Sequence, residues 1–215
     1  MQPSNPESVR PIPPEPTLRR LPWYLACVNM LRSSGVEHVS STAISKKINV
    51  DASQIAKDLS VLPIKGKTRI GYEVSALERA LKDFLGFTAP HPAVMMGVGS
   101  LGAALIADRG LQRFGLDVVA GFDTDPSIIG NCIKGVPVFD VSELYVRRAA
   151  YGAEIGILAV PVEHAQSAAN LLVASGVKAI WNFTPYRITV PARTVVENTS
   201  IYADLAVIYS RLKSS

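Results

Sequence analysis

The chain has 215 residues, 48% of them hydrophobic, with 22 lysines and arginines against 18 aspartates and glutamates. This length permits one large or two small domains with buried cores, and two cysteines are too few for a disulfide framework. Because the sequence has neither an apolar run of membrane-spanning length nor the pattern of a signal peptide, we expect a cytoplasmic protein without a membrane partner.

The first 16 residues contain six prolines, which predicts a flexible arm over residues 1–16. Thr17 is the expected N-cap of a first helix, which has apolar residues at helical spacing and ends near Gly35. Pro22 falls just past the first turn of that helix, so we expect the regular helix to begin close to Pro22.

Two short helices are predicted next, over residues 39–48 and 54–62, with a turn at 49–52 and Ser53 as the cap of the second. This arrangement is typical of a helix-turn-helix, whose second helix enters the major groove of DNA. The candidate DNA-contacting residues on and beside these helices are Ser41, Ser53, Gln54, Lys57 and Ser60.

Residues 64–74 predict a β-hairpin with a basic tip formed by Lys65, Lys67 and Arg69. A basic hairpin after a helix-turn-helix is a wing, suited to phosphate or minor-groove contacts, although lysines at hairpin tips are also ordinary surface residues. Nine basic and three acidic residues lie between Thr17 and Arg69, whereas residues 90–215 carry ten of each. This uneven charge favours nucleic-acid binding by the first part of the chain.

A further helix is predicted over residues 75–87, and the proline-containing segment 88–92 is the expected domain boundary. Beyond it, apolar strands alternate with helices. The predicted strands are 93–98, 117–122, 136–139, 155–160 and 178–183, and the predicted helices are 100–114, 141–150 and 163–175. This alternation predicts a parallel sheet covered on both faces, with a ligand at the carboxyl ends of its strands.

A G-x-G-x-x-G motif connects the first strand of this part to its first helix. Gly97 permits a tight turn, Gly99 lets the backbone approach a pyrophosphate, and Gly102 lets the helix pack closely on the strand. Ser100 and Leu101 lie in the first helical turn, where backbone N–H groups are open to phosphates. Alone, the motif is weak evidence, because this spacing also recurs by chance in plain βαβ turns.

Asp123 strengthens the motif, because it ends the next strand about twenty residues beyond the last glycine. An acidic side chain there accepts hydrogen bonds from the adenosine ribose. No arginine follows in residues 124–127, so a ribose 2′-phosphate would meet Asp123 and Asp125 without a cation. We therefore predict NAD and NADH as ligands, in preference to their 2′-phosphorylated forms.

Two later strand ends are further candidates for this site. Val160 and Pro161 follow the fourth strand, and Asn182 and Thr184 lie at the end of the fifth. They could frame the nicotinamide half of a dinucleotide, with Asn182 as the polar contact. Equally, both segments could be strand ends that a proline terminates.

Residues 200–213 form a predicted helix with a wide apolar face, and such a face is expected to pack against another apolar surface. It either folds back on its own sheet or exchanges between two subunits. The predicted organisation is an α/β protein with a flexible arm (1–16), a winged-helix DNA-binding domain (17–89), a Rossmann NAD(H)-binding domain (93–197) and a C-terminal dimerisation helix (198–215).

The order of these motifs resembles the Rex family of bacterial redox-sensing transcriptional repressors over about residues 15–213. The segments that carry the resemblance are TLRRLPWYL (17–25), VSSTAIS (39–45), VDASQIAKDLS (50–60), KGKTRIGYEV (65–74), GVGSLG (97–102), FDTDP (122–126), GVPVF (135–139), LAVP (158–161), WNFTP (181–185) and DLAV (204–207).

This resemblance implies a winged-helix domain followed by an NAD(H)-binding Rossmann domain, in a homodimer whose C-terminal helix is swapped into the partner. It implies that NADH favours a closed form that releases double-stranded operator DNA, whereas NAD+ leaves the form that binds DNA. It also assigns Lys57 and Asp58 to the DNA-recognition motif and Asp204 to the switch.

The chain departs from the family pattern at several positions. Ala56 stands where the family often has an arginine before the recognition lysine, and Val-Leu-Pro at 61–63 stands where it often has Tyr-Phe-Gly. Ala26 and Asp108 replace an arginine and a tyrosine that pair with the switch aspartate in some members. The operator sequence and the coupling between domains are therefore open.

Two other classes of function are weighed against the NADH-controlled repressor. A dehydrogenase needs a general acid or base beside the nicotinamide, and His164 is the only histidine placed to reach it; a first-turn surface histidine is the simpler interpretation. A nucleotide-binding interaction module without DNA contact is disfavoured by the wing and the uneven charge. We expect a repressor with no catalytic residue and no metal site.

Overall fold

The computed structural model describes residues 13–213, and its contacts divide them into two units, with the division between Thr88 and Ala89. Most of the predicted arm, 1–16, lies outside the described residues, and Glu15 and Pro16 already belong to the first helix. Within the described range, no helix combines the length and the apolar character needed to cross a membrane.

The N-terminal unit contains four helices and a two-stranded antiparallel sheet in its described part. In chain order these are α1 (Glu15–Ser33), β1 (His38–Val39), α2 (Ser41–Ile48), α3 (Ala52–Leu59), β2 (Tyr72–Glu73) and α4 (Val74–Phe84). The apolar residues that recur at helical spacing face a single core, in which Tyr24, Ile55 and Leu77 are completely buried. This is the expected winged-helix arrangement, in which α2 and α3 form the helix-turn-helix.

The prediction that Thr17 caps the first helix is wrong. The helix α1 begins at Glu15, and Thr17 lies inside it, with its hydroxyl donating a hydrogen bond to Asp58. Pro16 occupies the first turn, where a missing N–H costs little, and Pro22 lies within the regular helix instead of near its beginning. The partner of Thr17 is thus a side chain two helices further along the chain, on α3.

The cap of the second of the next two helices also differs from the prediction. Ser40 caps α2 by accepting from the backbone N–H of Ala43, and Asp51 caps α3 by accepting from those of Ser53 and Gln54. Ser53 therefore lies in the first turn of α3 and is not its cap. The turn between the helices is closed by Asn49, whose φ is 53°.

The predicted hairpin over 64–74 is reduced to a tight turn with one bridge between Lys67 and Gly71, while β2 pairs with β1. Gly71 has a φ of 92°, and a Cβ there would overlap the backbone carbonyl of Val39. Only glycine permits this close approach of the wing to β1.

The C-terminal unit is a seven-stranded sheet with helices on both faces. Its elements are β3 (His91–Met96), α5 (Ser100–Ala107), α6 (Arg109–Arg113), β4 (Leu116–Asp123), β5 (Cys132–Ile133), β6 (Val136–Asp140), α7 (Leu144–Tyr151), β7 (Ile155–Leu158), α8 (Ala165–Ser175), β8 (Ala179–Asn182), β9 (Val195–Asn198) and α9 (Ile201–Leu212). The strand order is β5-β6-β4-β3-β7-β8-β9, and all neighbouring pairs are parallel except β5 with β6. The chain order reverses between β3 and β7, so a ligand crevice is expected at their carboxyl ends.

Several elements of this unit differ from the predicted ones. The predicted helix 100–114 is broken at Asp108, whose φ and ψ are −77° and 109° and whose carboxylate accepts from the backbone N–H of Gly110 to cap α6. β5 and β9 were not predicted, because a two-residue and a four-residue strand carry little periodic signal. His91 and Pro92, placed by prediction in the domain boundary, begin β3.

The helix α9 exposes its apolar face. Its large hydrophobic residues, each at least a third exposed, are Ile201, Tyr202, Leu205, Val207, Ile208, Tyr209 and Leu212. The alternative in which this helix folds back on its own sheet is therefore not the one that the structure adopts.

Replacing Gly71 by alanine is expected to lower the thermal stability of the protein more than the same change at Gly35. Both glycines have a positive φ, which costs an alanine about 1 kcal/mol, but only at Gly71 does the added Cβ meet backbone atoms. Thermal unfolding of the two variants and the unchanged chain measures the difference. Equal midpoints for the two variants would contradict the close approach of the wing to β1.

Candidate dinucleotide site and nucleic-acid interface

The three glycines of the motif differ in what a side chain would meet. A Cβ on Gly97, whose φ is 90°, would lie 2.6 Å from the carbonyl oxygen of Ala159, and one on Gly102 would overlap the carbonyl oxygen of Gly97. A Cβ on Gly99 would have no neighbour within 4 Å. Gly97 and Gly102 therefore bring β3, α5 and the end of β7 together, whereas Gly99 leaves open space.

The N-terminus of α5 faces this open space. The first hydrogen bond of the helix joins the N–H of Ala103 to the carbonyl of Gly99. The N–H groups of Ser100, Leu101 and Gly102 precede that bond, so they have no partner within the helix. Together with the helix dipole, they make this end of α5 attractive to a phosphate.

A cavity of about 380 Å³ lies at the carboxyl ends of β3, β4 and β7. Of the predicted nucleotide-binding residues, the ones that line it are Gly97, Gly99, Asp123, Val160 and Pro161. Its size is within the range of small-molecule sites, and it occupies the crevice expected from the strand order. The structure thus brings the glycine turn, the acidic strand end and the β7 loop to one site.

Both carboxylate oxygens of Asp123 are held by backbone donors. Oδ2 accepts from the N–H of Val98 at 2.7 Å, and Oδ1 accepts from those of Thr124 and Asp125 at 2.7 and 3.0 Å. Since an ionised carboxylate offers about four acceptor positions, Asp123 keeps capacity for a hydroxyl in the cavity. The hydrogen bond from the N–H of Val98 to Asp123 also connects the glycine turn to the end of β4.

A second carboxylate, Asp125, lines the same side of the cavity. Hydrogen bonds from the side chain and the backbone of Ser127 lower the pKa of Asp125 below its ordinary value. Among the described residues that line the cavity, none is a lysine or an arginine. This side of the cavity is therefore suited to ribose hydroxyls and unfavourable to an additional phosphate, as the sequence predicts.

Asn182 and Thr184 do not line the cavity, and hydrogen bonds within the protein occupy the Asn182 side chain. The Asn182 Nδ2 donates to the carbonyl of Tyr186 and to Oδ1 of Asn198, at 2.8 and 2.9 Å, and its Oδ1 accepts from the N–H and the hydroxyl of Thr184. The Asn182 side chain is completely buried. Its hydrogen bonds instead hold the loop after β8 to the end of β9.

One wall of the cavity is formed by residues that were not predicted to bind the nucleotide. This wall is the beginning of α8 and the turn before it, and its residues are His164, Ser167, Ala168 and Leu171. His164 was considered only as a catalytic residue of a rival enzyme. The signal that could have found the wall is topological, because a helix that follows a strand at the switch point begins beside the ligand.

In the N-terminal unit, the residues predicted to contact DNA form a largely exposed surface on α3 and the wing. Ser53, Lys57, Ser60, Lys65, Lys67 and Arg69 are exposed, and Ser41 and Gln54 are half-buried. Lysines and an arginine on such a surface are suited to DNA phosphates, and the exposed side of α3 can reach base edges.

Asp58 differs from the other residues predicted to contact DNA, because it is buried in this structure. The residue is only 1% exposed, and its carboxylate accepts five hydrogen bonds. Two come from Arg20, at 2.6 and 2.8 Å, and the others come from Thr17, Tyr24 and Gln54 at 3.0, 2.6 and 2.9 Å. Asp58 therefore joins the recognition helix α3 to α1.

The charge of Asp58 is stabilised where it lies. Burial raises the pKa of its carboxyl, but the hydrogen bonds from Arg20, Tyr24, Gln54 and Thr17 outweigh burial and lower the pKa to about 2. Burial, and then the hydrogen bond to Asp58, raise the pKa of Tyr24 to about 12. The contact between α1 and α3 is thus an ion pair with a full set of donors, the condition under which a buried charge is tolerated.

The chain matches known families in both parts. Residues 12–60 match the family model described as "Putative DNA-binding protein N-terminus", and residues 88–186 match the one described as "CoA binding domain". The redox-sensing transcriptional repressor Rex of Bacteroides fragilis is 57% identical over 199 residues, which are 93% of this chain and 90% of that protein. The protein of the same name from Porphyromonas gingivalis is 54% identical over 201 residues, 94% of this chain and 92% of that protein.

Solved structures of RSP, a Rex-family repressor, resemble the whole chain at 33% sequence identity. The crystal structure of RSP with β-NAD+ and operator DNA has a TM-score of 0.90 and covers 94% of both chains. The structure of RSP with β-NADH has a TM-score of 0.85 and covers 94% of this chain and 95% of that one.

Asp58 is expected to make the N-terminal unit sensitive to acid. Because its pKa is lowered from 3.8 to about 2 by folding, its stabilisation is fully present above about pH 4 and is lost as the pH falls through about 2. The loss amounts to about 2 kcal/mol. Urea unfolding at a series of acidic pH values, for the unchanged chain and Asp58→Asn, measures it.

Asp58→Asn should be about 3 kcal/mol less stable near neutral pH, because Arg20 loses its partner, and its stability should change less between pH 4 and 2. Tyr24→Phe is the matched control, since it keeps the ion pair and removes one of the five hydrogen bonds to Asp58. It should lose about 1 kcal/mol and keep most of the pH dependence. The same acid dependence in Asp58→Asn as in the unchanged chain would refute this account.

Proposed function

Because the chain belongs to the Rex family of redox-sensing transcriptional repressors, we propose that it binds operator DNA as a homodimer and is released by NADH. The observation that carries this proposal is that one chain combines a recognition helix with an exposed lysine and a basic wing with a dinucleotide-type cavity at the switch point of a parallel sheet. The relatives described above are transcriptional repressors, and we propose no catalytic step for this chain.

The residues that line the cavity fit a dinucleotide. The N–H groups at the start of α5 would hold the pyrophosphate, where Gly99 leaves the space that a Cβ would fill. Asp123 would accept from the adenosine ribose, and Val160 and Pro161 would flank the nicotinamide side. The dinucleotide supplies the redox signal, because its nicotinamide ring is cationic when oxidised and neutral when reduced.

Discrimination between the two redox forms then depends on the walls around the ring. Apolar walls such as Val160 and Pro161 penalise a cationic ring through desolvation, so an enclosed pocket favours NADH. If the DNA-binding arrangement leaves that pocket more open, NADH and operator DNA weaken each other's binding by linkage, typically by about 1–3 kcal/mol. The protein needs no chemical reaction to report the redox state.

For the DNA contact, Lys57 is the central residue that we propose. It lies on the exposed side of α3, where a lysine can reach a guanine edge, and Ser53, Gln54 and Ser60 flank it. Ser41 at the start of α2 and the basic wing residues Lys65, Lys67 and Arg69 would contact phosphates. Ala56 removes one basic group from this surface, so the operator preferred here is expected to differ from that of members with arginine.

In the homodimer that we propose, α9 makes the contact with the second subunit. An exposed helix with seven large hydrophobic residues is an unfavourable surface in a monomer, and a dimer supplies the two copies of α3 that a palindromic operator needs. Asp204 lies exposed in the first turn of α9. Neither Ala26 nor Asp108, which caps α6, offers it a cation, so the proposed switch role of Asp204 requires a different donor.

Selection of bound sequences from random duplex DNA is expected to enrich a palindrome with NAD+ present and not with NADH. Lys57→Ala should weaken binding to that sequence about tenfold or more, since a good base contact contributes about 1–3 kcal/mol. Lys178→Ala, in an ion pair with Glu154 in the C-terminal unit, is the control. Equal binding with the two dinucleotides would contradict the proposed redox control.

Gly99→Val is expected to abolish the response to NADH and leave operator binding in its absence unchanged. The new side chain would point into open space in the cavity, so the fold should be kept while the pyrophosphate position is filled. Calorimetric titration with NADH, operator binding and the thermal midpoint are measured together. NADH binding of undiminished affinity would show that the cavity is not the dinucleotide site.

A further inference from the structure

Gln54 lies in the first turn of the recognition helix α3, and the helix cap holds its backbone. It is the third residue of the helix, and its backbone N–H donates to Oδ1 of Asp51 at 3.2 Å. The first residues of a recognition helix are the ones that reach base edges in the major groove. The side chain of Gln54 is half-buried, so part of it faces the protein and part of it faces solvent.

The partner of the Gln54 amide fixes which way the amide is turned. Its Nε2 donates to Oδ1 of Asp58 at 2.9 Å. Because the pKa of the Asp58 carboxyl is lowered to about 2, the group is ionised near neutral pH and has no proton to donate. If the amide were turned over, two acceptor oxygens would face each other with no hydrogen between them. Asp58 therefore holds the Nε2 side of the amide against the protein.

Oε1 of Gln54 is an unused acceptor at the surface of α3. It accepts no hydrogen bond within residues 13–213. Among the side chains in that range, the buried polar atoms without a partner are Oδ1 of Asn29 and Nε of Arg148. Since Oε1 of Gln54 also lacks a partner but is not one of these buried atoms, it is open to solvent. Nε2 carries two hydrogens, and the bond to Asp58 uses one of them.

We propose that Gln54 selects adenine in the operator, and that Asp58 sets this preference as a positioning residue that fixes the Gln54 amide. The inference rests on the proposed function and adds to it the base that this position of α3 reads. It also gives the network between α1 and α3 a role in sequence recognition, because Arg20, Tyr24 and Thr17 hold the carboxylate that orients the amide.

The base edges in the major groove explain why the orientation of the amide selects a base. Adenine presents an amino donor beside the N7 acceptor, which matches a carbonyl oxygen and an N–H of one amide. Guanine and thymine present acceptors, which would meet Oε1 with no hydrogen between them, and cytosine presents a donor without the neighbouring acceptor. A glutamine that could turn its amide would instead donate from Nε2 to guanine or thymine. By preventing that turn, Asp58 excludes these bases.

The first test compares the unchanged chain with Gln54→Met, which keeps the length of the side chain without its amide. The DNA is the palindrome that the unchanged chain selects with NAD+ present, with each base pair of the half-sites exchanged in turn. We expect Gln54→Met to bind about tenfold more weakly and to lose its preference at one pair, where the unchanged chain prefers A·T. N6-methyladenine at that pair keeps base pairing but has a methyl group in place of the major-groove N–H. It should weaken binding of the unchanged chain by a similar factor and leave that of Gln54→Met nearly the same.

The second test uses Asp58→Asn, because an asparagine can donate as well as accept and no longer restricts the Gln54 amide. Below its thermal midpoint, this variant should bind G·C at the same pair nearly as well as A·T and keep its preferences elsewhere in the half-site. Tyr24→Phe is the matched control. It removes another hydrogen bond to Asp58 without touching Gln54, so it should keep the preference for A·T.

A G·C pair at the position sensitive to Gln54→Met would overturn the inference, as would an unchanged chain that is insensitive to N6-methyladenine there. Both results decide it even if Asp58→Asn does not fold. Uniformly weaker binding by Asp58→Asn, with the preference for A·T retained, would refute the positioning role. All these results leave the proposed function intact, because the unchanged chain would still select a palindrome. If it selected no sequence at all, the proposed function itself would fall, and this inference with it.

Discussion

The contact between Gly102 and the carbonyl of Gly97 determines what the C-terminal unit can bind. It brings the first turn of α5 against the turn that follows β3, closer than any residue with a Cβ would allow. The N-terminus of the helix, with its open N–H groups, is thereby aimed at the crevice between β3 and β7. Asp123 holds the same turn through its hydrogen bond from Val98, so the positions that we propose for the phosphates and the ribose are connected by the backbone.

In the N-terminal unit, the buried charge of Asp58 holds the recognition helix α3 in place. A recognition helix must keep its exposed side free for DNA, and so it has to be held from behind. Asp58 does this through five hydrogen bonds, four of them from Thr17, Arg20 and Tyr24 on α1. The same carboxylate that stabilises the native arrangement thereby transmits the position of α1 to α3. A hydrophobic contact of equal size would fix this orientation less strictly, because it lacks directional donors.

The sequence predicted what depends on local pattern. The glycine motif, Asp123, the alternation of strands and helices and the helix-turn-helix were all recognisable, because periodicity and spacing specify them within a few neighbouring residues.

The errors concern side chains whose hydrogen-bond partners lie far away in the sequence. Thr17 was read as a cap and Asp58 as a DNA contact, although they bond to each other across 41 residues. Local patterns also do not show that Tyr186, Thr184 and Asn198 use the hydrogen-bonding groups of the Asn182 side chain.

The strand order also bears on how two copies of the chain can associate. One border of the sheet is β5, two residues long and antiparallel, and the other is β9, four residues long. Borders this short offer few unpaired backbone groups to a neighbouring chain, so extension of the sheet from copy to copy is disfavoured. The two copies of the homodimer that we propose would therefore associate through side-chain packing of helices and not through backbone pairing.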